Sequence, residues 1–318
     1  MINLPNLIKW ESDFLKNLLH QGKSDNSLKS YRLDFECLHQ YLETIPHEQI
    51  KDFNAEVLND FNNFLEKKYP KINSRRRKLQ TLRLFFDFLI EKNLFPSNPI
   101  KNIASAPKKL LPPSPVKYPI IFQMNELLKQ SFKEETSRVQ KYVLVRNQCL
   151  LRLIYHAGLS VSLISQIKVS DLLFNNDSLR VLISPPKKDP YSIPLPDAPF
   201  FQFYIEQLSE YKLDELSNHL IFHANAHKII KGGLSPRGIE EIFKKLSEKI
   251  KSPVTPRKIR QSCIIRWIIE GQSPVNIKDW MGVAPSYSLS AFHKYIKEQK
   301  SQEQEKDYLD YKILNYEL

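Results

Sequence analysis

Arg257 and Arg260 stand one helical turn apart in the run TPRKIRQ, a spacing that turns both guanidinium groups toward one anion and Lys258 away from it. Lys187 and Lys188 form a second cationic pair, in SPPKKDP between two short alternating runs, which places them at the tip of a β-hairpin. A third cluster, Arg75, Arg76, Arg77 and Lys78 with Arg83 further on, opens a helical segment and is suited to following a phosphate backbone. Guanidinium forks and lysine point charges bind phosphate by charge-assisted hydrogen bonds. The chemistry these residues point to is therefore the holding of phosphate.

Composition supports a polyanionic partner. The 318 residues carry a formal net charge of +12, which favours nucleic acid. Seven glycines against 21 prolines disfavour glycine-loop nucleotide sites, and neither G-x-G-x-x-G nor a P-loop occurs. Cys37, Cys149 and Cys263 are odd in number and have no C-x-x-C spacing, which argues against a disulfide framework and a zinc site. No metal and no cofactor is expected. The amphipathic start MINLPNLIKWESDF and the lack of an apolar run of roughly 20 residues suggest a soluble, unprocessed, cytoplasmic protein that avoids membranes.

The elements that position these cations follow from periodicity. Apolar residues recur at helical spacing over about 5–20, 26–43, 54–68 and 73–92. Leu28, Tyr31, Phe35, Leu38 and Leu42 form one such stripe; Leu79, Leu82, Phe86 and Leu89 form another. The stretch PSNPIKNIASAPKKLLPPSPVKYP then changes character and reads as a stiff basic linker carrying Lys101, Lys108, Lys109 and Lys117. Helices are predicted over about 123–132, 138–157 and 161–168, followed by a hairpin of Leu179–Ile183 with Tyr191–Leu195. Further helices are predicted over 199–209, 236–250, 256–270, 274–280 and 287–299, and 301–318 is a charged tail with apolar anchors.

This order, together with local sequence, resembles the tyrosine recombinases of the Xer and phage-integrase type. SLKSYRLDFECLHQYL is similar to the family's second core-binding helix, and INSRRRKLQTLRLFFDFLIEKNLFPSNPIKNI to its fourth helix and exit. VRNQCLLRLIYHAGLSVSLISQIKVSDL resembles the first catalytic block, and TPRKIRQSCIIRWIIEGQSPVNIKDWMGVAPSYSLSAFHKY the last. The resemblance implies a mainly α protein: a four-helix core-binding (SAM-like) domain at 1–97, a basic proline-rich linker at 98–121, a mostly helical catalytic-type domain with a small hairpin at 122–300, and a tail at 301–318.

The family cuts DNA with a tyrosine, forming a 3′-phosphotyrosyl link, and stabilises the pentavalent phosphate with two arginines, a hairpin lysine and histidine-type donors. Carried over residue by residue, that set is depleted. Gly158-Leu159 is followed by Ser160 where the first arginine belongs, and the carboxylate position is Leu163. Arg257 takes the histidine position, Arg260 keeps the second arginine, and Gln261 follows. Val283 replaces the histidine after Gly282, and Phe292 holds the nucleophile position. Lys187 and Lys188 both fit the hairpin lysine, Lys188 being taken as the survivor. The resemblance therefore implies a double-stranded DNA-binding protein that acts in or regulates site-specific recombination without cutting. It would join itself or a related recombinase on DNA, through 301–318. The competing readings are an active recombinase that recruits Tyr295 or a partner's residues in trans, and a protein–protein adaptor on the same fold.

Overall fold

The computed structural model describes residues 4–45, 55–103, 112–175, 178–185, 189–210, 218–301 and 312–314. The chain divides into two compact units, Met1–Leu110 and Leu111–Leu318.

The first unit is built from α1 (Leu4–His20), α2 (Asp25–Leu42), α3 (Ala55–Lys68) and α4 (Ile72–Glu91). Each matches a predicted stripe to within a residue or two. The stripes meet in an aromatic core, where Phe14 packs edge-on against Phe35 and Phe85 at centroid separations of 6.0 and 5.6 Å. Asn98 then starts a short 3₁₀ turn, Pro99–Asn102, by accepting from the Ile100 amide, while its Nδ2 donates to the Asp87 carboxylate and the Arg83 carbonyl. Ile100 and Ile103 are buried in this same core. The opening of the segment read as linker thus belongs to the first unit, because its isoleucines have a core to enter.

A charged cluster is buried among these helices. The Lys78 ammonium donates to Asp34 Oδ1 at 3.0 Å, sits 4.6 Å from the centre of the Tyr69 ring, and is almost inaccessible, as is Asp34. Thr81 Oγ1 donates to the other Asp34 oxygen at 2.8 Å, and Arg77 reaches Oδ1 from outside at 2.7 Å. Lys78 is therefore not a DNA contact, as its place in a basic run suggested, but the internal counter-ion of Asp34. On the neighbouring face, His39 Nε2 and the buried Glu11 Oε1 are 2.9 Å apart, joining α2 to α1.

The second unit begins with α5 (Tyr118–Glu134), α6 (Arg138–Ala157) and α7 (Val161–Ile164). A three-stranded antiparallel sheet follows, of β1 (Leu172–Asn175), β2 (Ser178–Ile183) and β3 (Tyr191–Pro194) in that order, with Val181 opposite both Leu172 and Ile193. After α8 (Ala198–Ser209) comes a hairpin of β4 (Phe222–Ala224) and β5 (Ile229–Gly233). The remaining helices are α9 (Pro236–Lys249), α10 (Pro256–Ile269), α11 (Pro274–Met281) and α12 (Ser290–Ser301). Three of these open on a hydroxyl cap followed by proline, at Ser235-Pro236, Thr255-Pro256 and Ser273-Pro274, where proline costs no hydrogen bond.

Only the β2–β3 hairpin was expected. β1 was missed because it exposes three of its four residues, and β4 because it spans three residues with a bulge beside it. α5 starts at Tyr118, earlier than its stripe suggested, because Pro119 is tolerated in the first turn.

α6 is the axis of this unit, with Leu150, Leu151, Leu153, Ile154 and Tyr155 fully buried. It also buries Arg152, whose Nε donates to Asp197 at 2.6 Å and whose Nη1 donates to Asn125 at 2.9 Å, with the guanidinium 3.9 Å from the centre of the Phe200 ring. From the tail, residues 312–314 lie against this same unit: Tyr155 donates its hydroxyl to the Lys312 carbonyl at 2.7 Å and Leu314 is buried.

Replacing Asp34 by alanine strands the Lys78 charge inside the helices and should cost about 3–5 kcal/mol in urea denaturation; a loss under about 1 kcal/mol would show that the cluster is not buried. The hydrogen bond to Glu11 holds the His39 pKa above its ordinary value, and burial raises that of Glu11. Both groups bind protons more tightly in the folded domain, so their contribution is complete at low pH and is lost as pH climbs through the raised values. Melting midpoints should accordingly fall from pH 6 upward, and His39→Gln should flatten that decline.

Candidate functional site

The N-terminus of α10 carries the site. Thr255 Oγ1 accepts from the Lys258 amide at 3.3 Å, which fixes the first turn and sends Arg257 into solvent. Lys258 donates to the Pro253 carbonyl at 2.9 Å, Ile259 enters the core, and Arg260 follows half-buried. Arg257 and Arg260 line one cleft of about 800 Å³, together with Ser160, Val161, Val254 and Thr255. Lys258 lines the same cleft, so the cleft gathers all three cations and does not set Lys258 apart from the two arginines.

Arg260 is also fastened. Its Nε donates to the Gly158 carbonyl at 2.6 Å and its Nη2 to the Met281 carbonyl at 2.8 Å. Gly158 ends α6 and Gly282, next to Met281, ends α11, each in a left-handed conformation with φ of 60° and 68°. One guanidinium therefore caps two helix C-termini, the ends where backbone carbonyls lack partners and the dipole favours a cation. Burial lowers the Arg260 pKa from its ordinary value without threatening its charge at neutral pH. Gly158 must be glycine for a second reason: a Cβ there would lie 2.7 Å from the Trp267 ring.

The residues that the resemblance sets at the family's donor positions cap a helix or pack against the core. Ser160 caps α7, accepting from the Leu163 amide at 3.4 Å, and Leu163 packs against the core. Val283 also packs there. Phe292 is 6% exposed, inside the core of the second unit. Tyr295 is half-buried against that core, where burial raises its pKa, and His293 is exposed.

The cations of the first unit divide. Arg77 is held by Asp34 and the Ser30 carbonyl, and Arg75 pairs with Glu66 at 3.3 Å. Arg76 is half-exposed and has no ion pair among the described residues, so it remains open to a phosphate. Arg83 is half-buried, and its Nε has no partner among the described residues. Lys108, Lys109, Lys187 and Lys188 lie outside the described residues.

Sequence reading missed the far wall of the cleft. Arg237 and Lys244 line it from α9, with Glu240 and Glu241 between them. Their signal was present, since positions seven apart share a helix face, but nothing along the chain ties α9 to α10. The cleft is therefore cationic with a carboxylate pair on one wall.

Comparison with known proteins agrees with this architecture. The family model described as "Phage integrase, N-terminal SAM-like domain" matches residues 12–93. Tyrosine recombinase XerC from Staphylococcus aureus strain MSSA476 is 26% identical over 290 residues, covering 89% of each chain, and XerC of strain JH9 matches to the same extent. Among solved structures, XerH site-specific recombinase bound to palindromic difH substrate superposes with a TM-score of 0.67 at 15% identity, covering 87% of this chain and 78% of that one. A lambda integrase tetramer bound to a Holliday junction gives 0.63 at 16% identity, covering 90% and 76%. The helical N-terminal unit and the mostly helical second unit share the fold of these solved recombinases. In its first unit the chain matches the phage integrase SAM-like domain, and over most of its length it is similar to tyrosine recombinases.

Because Arg260 caps two helices while Arg257 touches only solvent and the cleft, their alanine variants should separate. Arg260→Ala is expected to cost about 2–4 kcal/mol in denaturant unfolding, since two charge-assisted hydrogen bonds are lost. Arg257→Ala should stay within about 0.5 kcal/mol of the parent.

Proposed function

We propose that this protein binds double-stranded DNA as a non-cleaving member of its family, and that it acts in or regulates site-specific DNA recombination. The observation that carries this reading is the pairing of a retained cationic cleft with a nucleophile position filled by a buried phenylalanine. Phe292 has no oxygen to attack a phosphodiester. Arg257 and Arg260 still present positive charge, and they are joined by Arg237 and Lys244 from α9. Charge that survives while the attacking hydroxyl, the first arginine and two histidine-type donors are gone fits binding without strand transfer. The domains proposed for this work are a DNA-binding unit at 1–97, a basic linker at 98–121 and a catalytic-type unit at 122–300. The structure's own division at Leu110 carries the 3₁₀ turn with the first unit.

The relatives support the same partner. The solved neighbours named above are a recombinase on its substrate and a tetramer on a Holliday junction. On that basis this chain assembles on DNA with copies of itself or with an active relative, and the tail at 301–318 is its proposed contact. Cytoplasmic residence accords with the lack, among the described residues, of a helix long and apolar enough to cross a membrane.

Mobility shift of duplex DNA over a salt series tests the reading. Retardation should be strong at low salt and should weaken steeply as salt rises, because bound phosphates release counterions. A nicked suicide substrate should yield no covalent adduct on a denaturing gel. An adduct that disappears on Tyr295→Phe would replace the proposal with an active enzyme using that residue, and absence of any shift would leave an adaptor on this fold.

A further inference from the structure

A second hydroxyl, far from Phe292 in sequence, stands beside the surviving arginine. Tyr191 opens β3 and lies opposite Ile183 of β2. A Cβ built on Gly282 would be 3.2 Å from the Tyr191 hydroxyl oxygen, which puts that oxygen against the turn that ends α11. The residue before Gly282 is Met281, whose carbonyl holds Arg260 Nη2 at 2.8 Å. Phenol and guanidinium therefore flank one backbone turn. The turn admits the ring because position 282 is glycine in a left-handed conformation and presents no side chain to it.

The hydroxyl is available. Tyr191 is half-buried; its backbone is paired with Ile183 in the β2–β3 ladder, and its hydroxyl makes no hydrogen bond to any described residue. Burial, opposed by the Arg260 charge and aided by Asp279, raises its pKa, so it keeps its proton at neutral pH and acts as a neutral donor. The Tyr191 hydroxyl is not one of the buried unpaired polar atoms among the described residues, so it reaches solvent and is open to an acceptor brought by a ligand. Arg260 spends two of its nitrogens on carbonyls and keeps Nη1 for another acceptor.

We infer that Tyr191 and Arg260 form a two-donor seat for one phosphate of bound duplex DNA, with the Tyr191 hydroxyl supplying the uncharged donor that Val283, next to the same turn, cannot. The inference rests on the DNA-binding reading above and names a residue that reading does not use. The seat accounts for binding without cleavage, because the phenol donates to a phosphate oxygen and takes no part in bond breaking.

The test is Tyr191→Phe, measured by fluorescence anisotropy on a short labelled duplex over a salt series, with Tyr295→Phe beside it. Tyr191→Phe should weaken binding about threefold to tenfold, the worth of one hydrogen bond. The slope of log affinity against log salt should be unchanged, because a phenol releases no counterion. The unfolding midpoint should also be unchanged, and Tyr295→Phe should bind as the parent does. Affinity within about twofold of the parent would overturn the seat while leaving DNA binding intact. So would a loss accompanied by a lower melting midpoint, which would make the hydroxyl structural, or a covalent adduct on a nicked substrate that Tyr191→Phe abolishes, which would make it a nucleophile. A parent protein that binds no duplex at any salt overturns the DNA reading itself and is told apart by that result alone.

Discussion

The forked hold of Arg260 on the carbonyls of Gly158 and Met281 is the constraint from which the second unit's site takes its shape. Two helices, α6 and α11, point their C-termini at one place, and carbonyls there need a cation as much as a phosphate does. Arg260 answers both demands with different nitrogens. Loss of catalytic demand would not release it, because its removal leaves two helix ends uncapped. That double duty gives Arg260 a structural role that does not depend on a phosphate. Ser160, Leu163, Val283 and Phe292 show the converse, each having settled into capping or packing that requires no phosphate.

The same contest between internal and external partners sorts the cations of the four-helix unit. Asp34 is buried, and a buried carboxylate takes whatever cations it can reach. It holds Lys78 fully and Arg77 by one edge, and that leaves Arg76 as the member of the basic run with no described counter-ion. In the second unit Arg152 is likewise consumed, by Asp197, Asn125 and the Phe200 ring. The count of 47 lysines and arginines thus overstates the cations open to a ligand, since several are taken up by the protein's own buried acids and helix ends. The cleft illustrates the point, because Glu240 and Glu241 share its wall with Arg237 and Lys244.

Helices were legible wherever a stripe of apolar residues ran for three turns or more, and the expected and observed bounds of α1 to α4 differ by little. α10 and α11 were legible too, and their Ser/Thr-Pro openings explain part of the high proline content. Strands were not, apart from β2 and β3. β1 and β4 are three or four residues long, too short for alternation to show, and they exist because neighbouring strands supply their hydrogen bonds. The stretch expected as a linker has apolar residues at both ends, Ile100 and Ile103 on one side and Val116 on the other, that enter the nearest core.

What the chain's residue order determined by itself was the inventory: two helical units, a cationic pair one turn apart, and the residues, Phe292 among them, that the resemblance sets at the family's positions. Each of these depends on residue type and local spacing alone. Which cations are free, and which hydroxyl stands near Arg260, was decided only by folding. Arg260 meets carbonyls 102 and 21 residues away, and Lys78 meets Asp34 across 44. Such pairings arise from helices packing over their apolar faces, and local periodicity holds no record of which distant polar groups that packing will bring together.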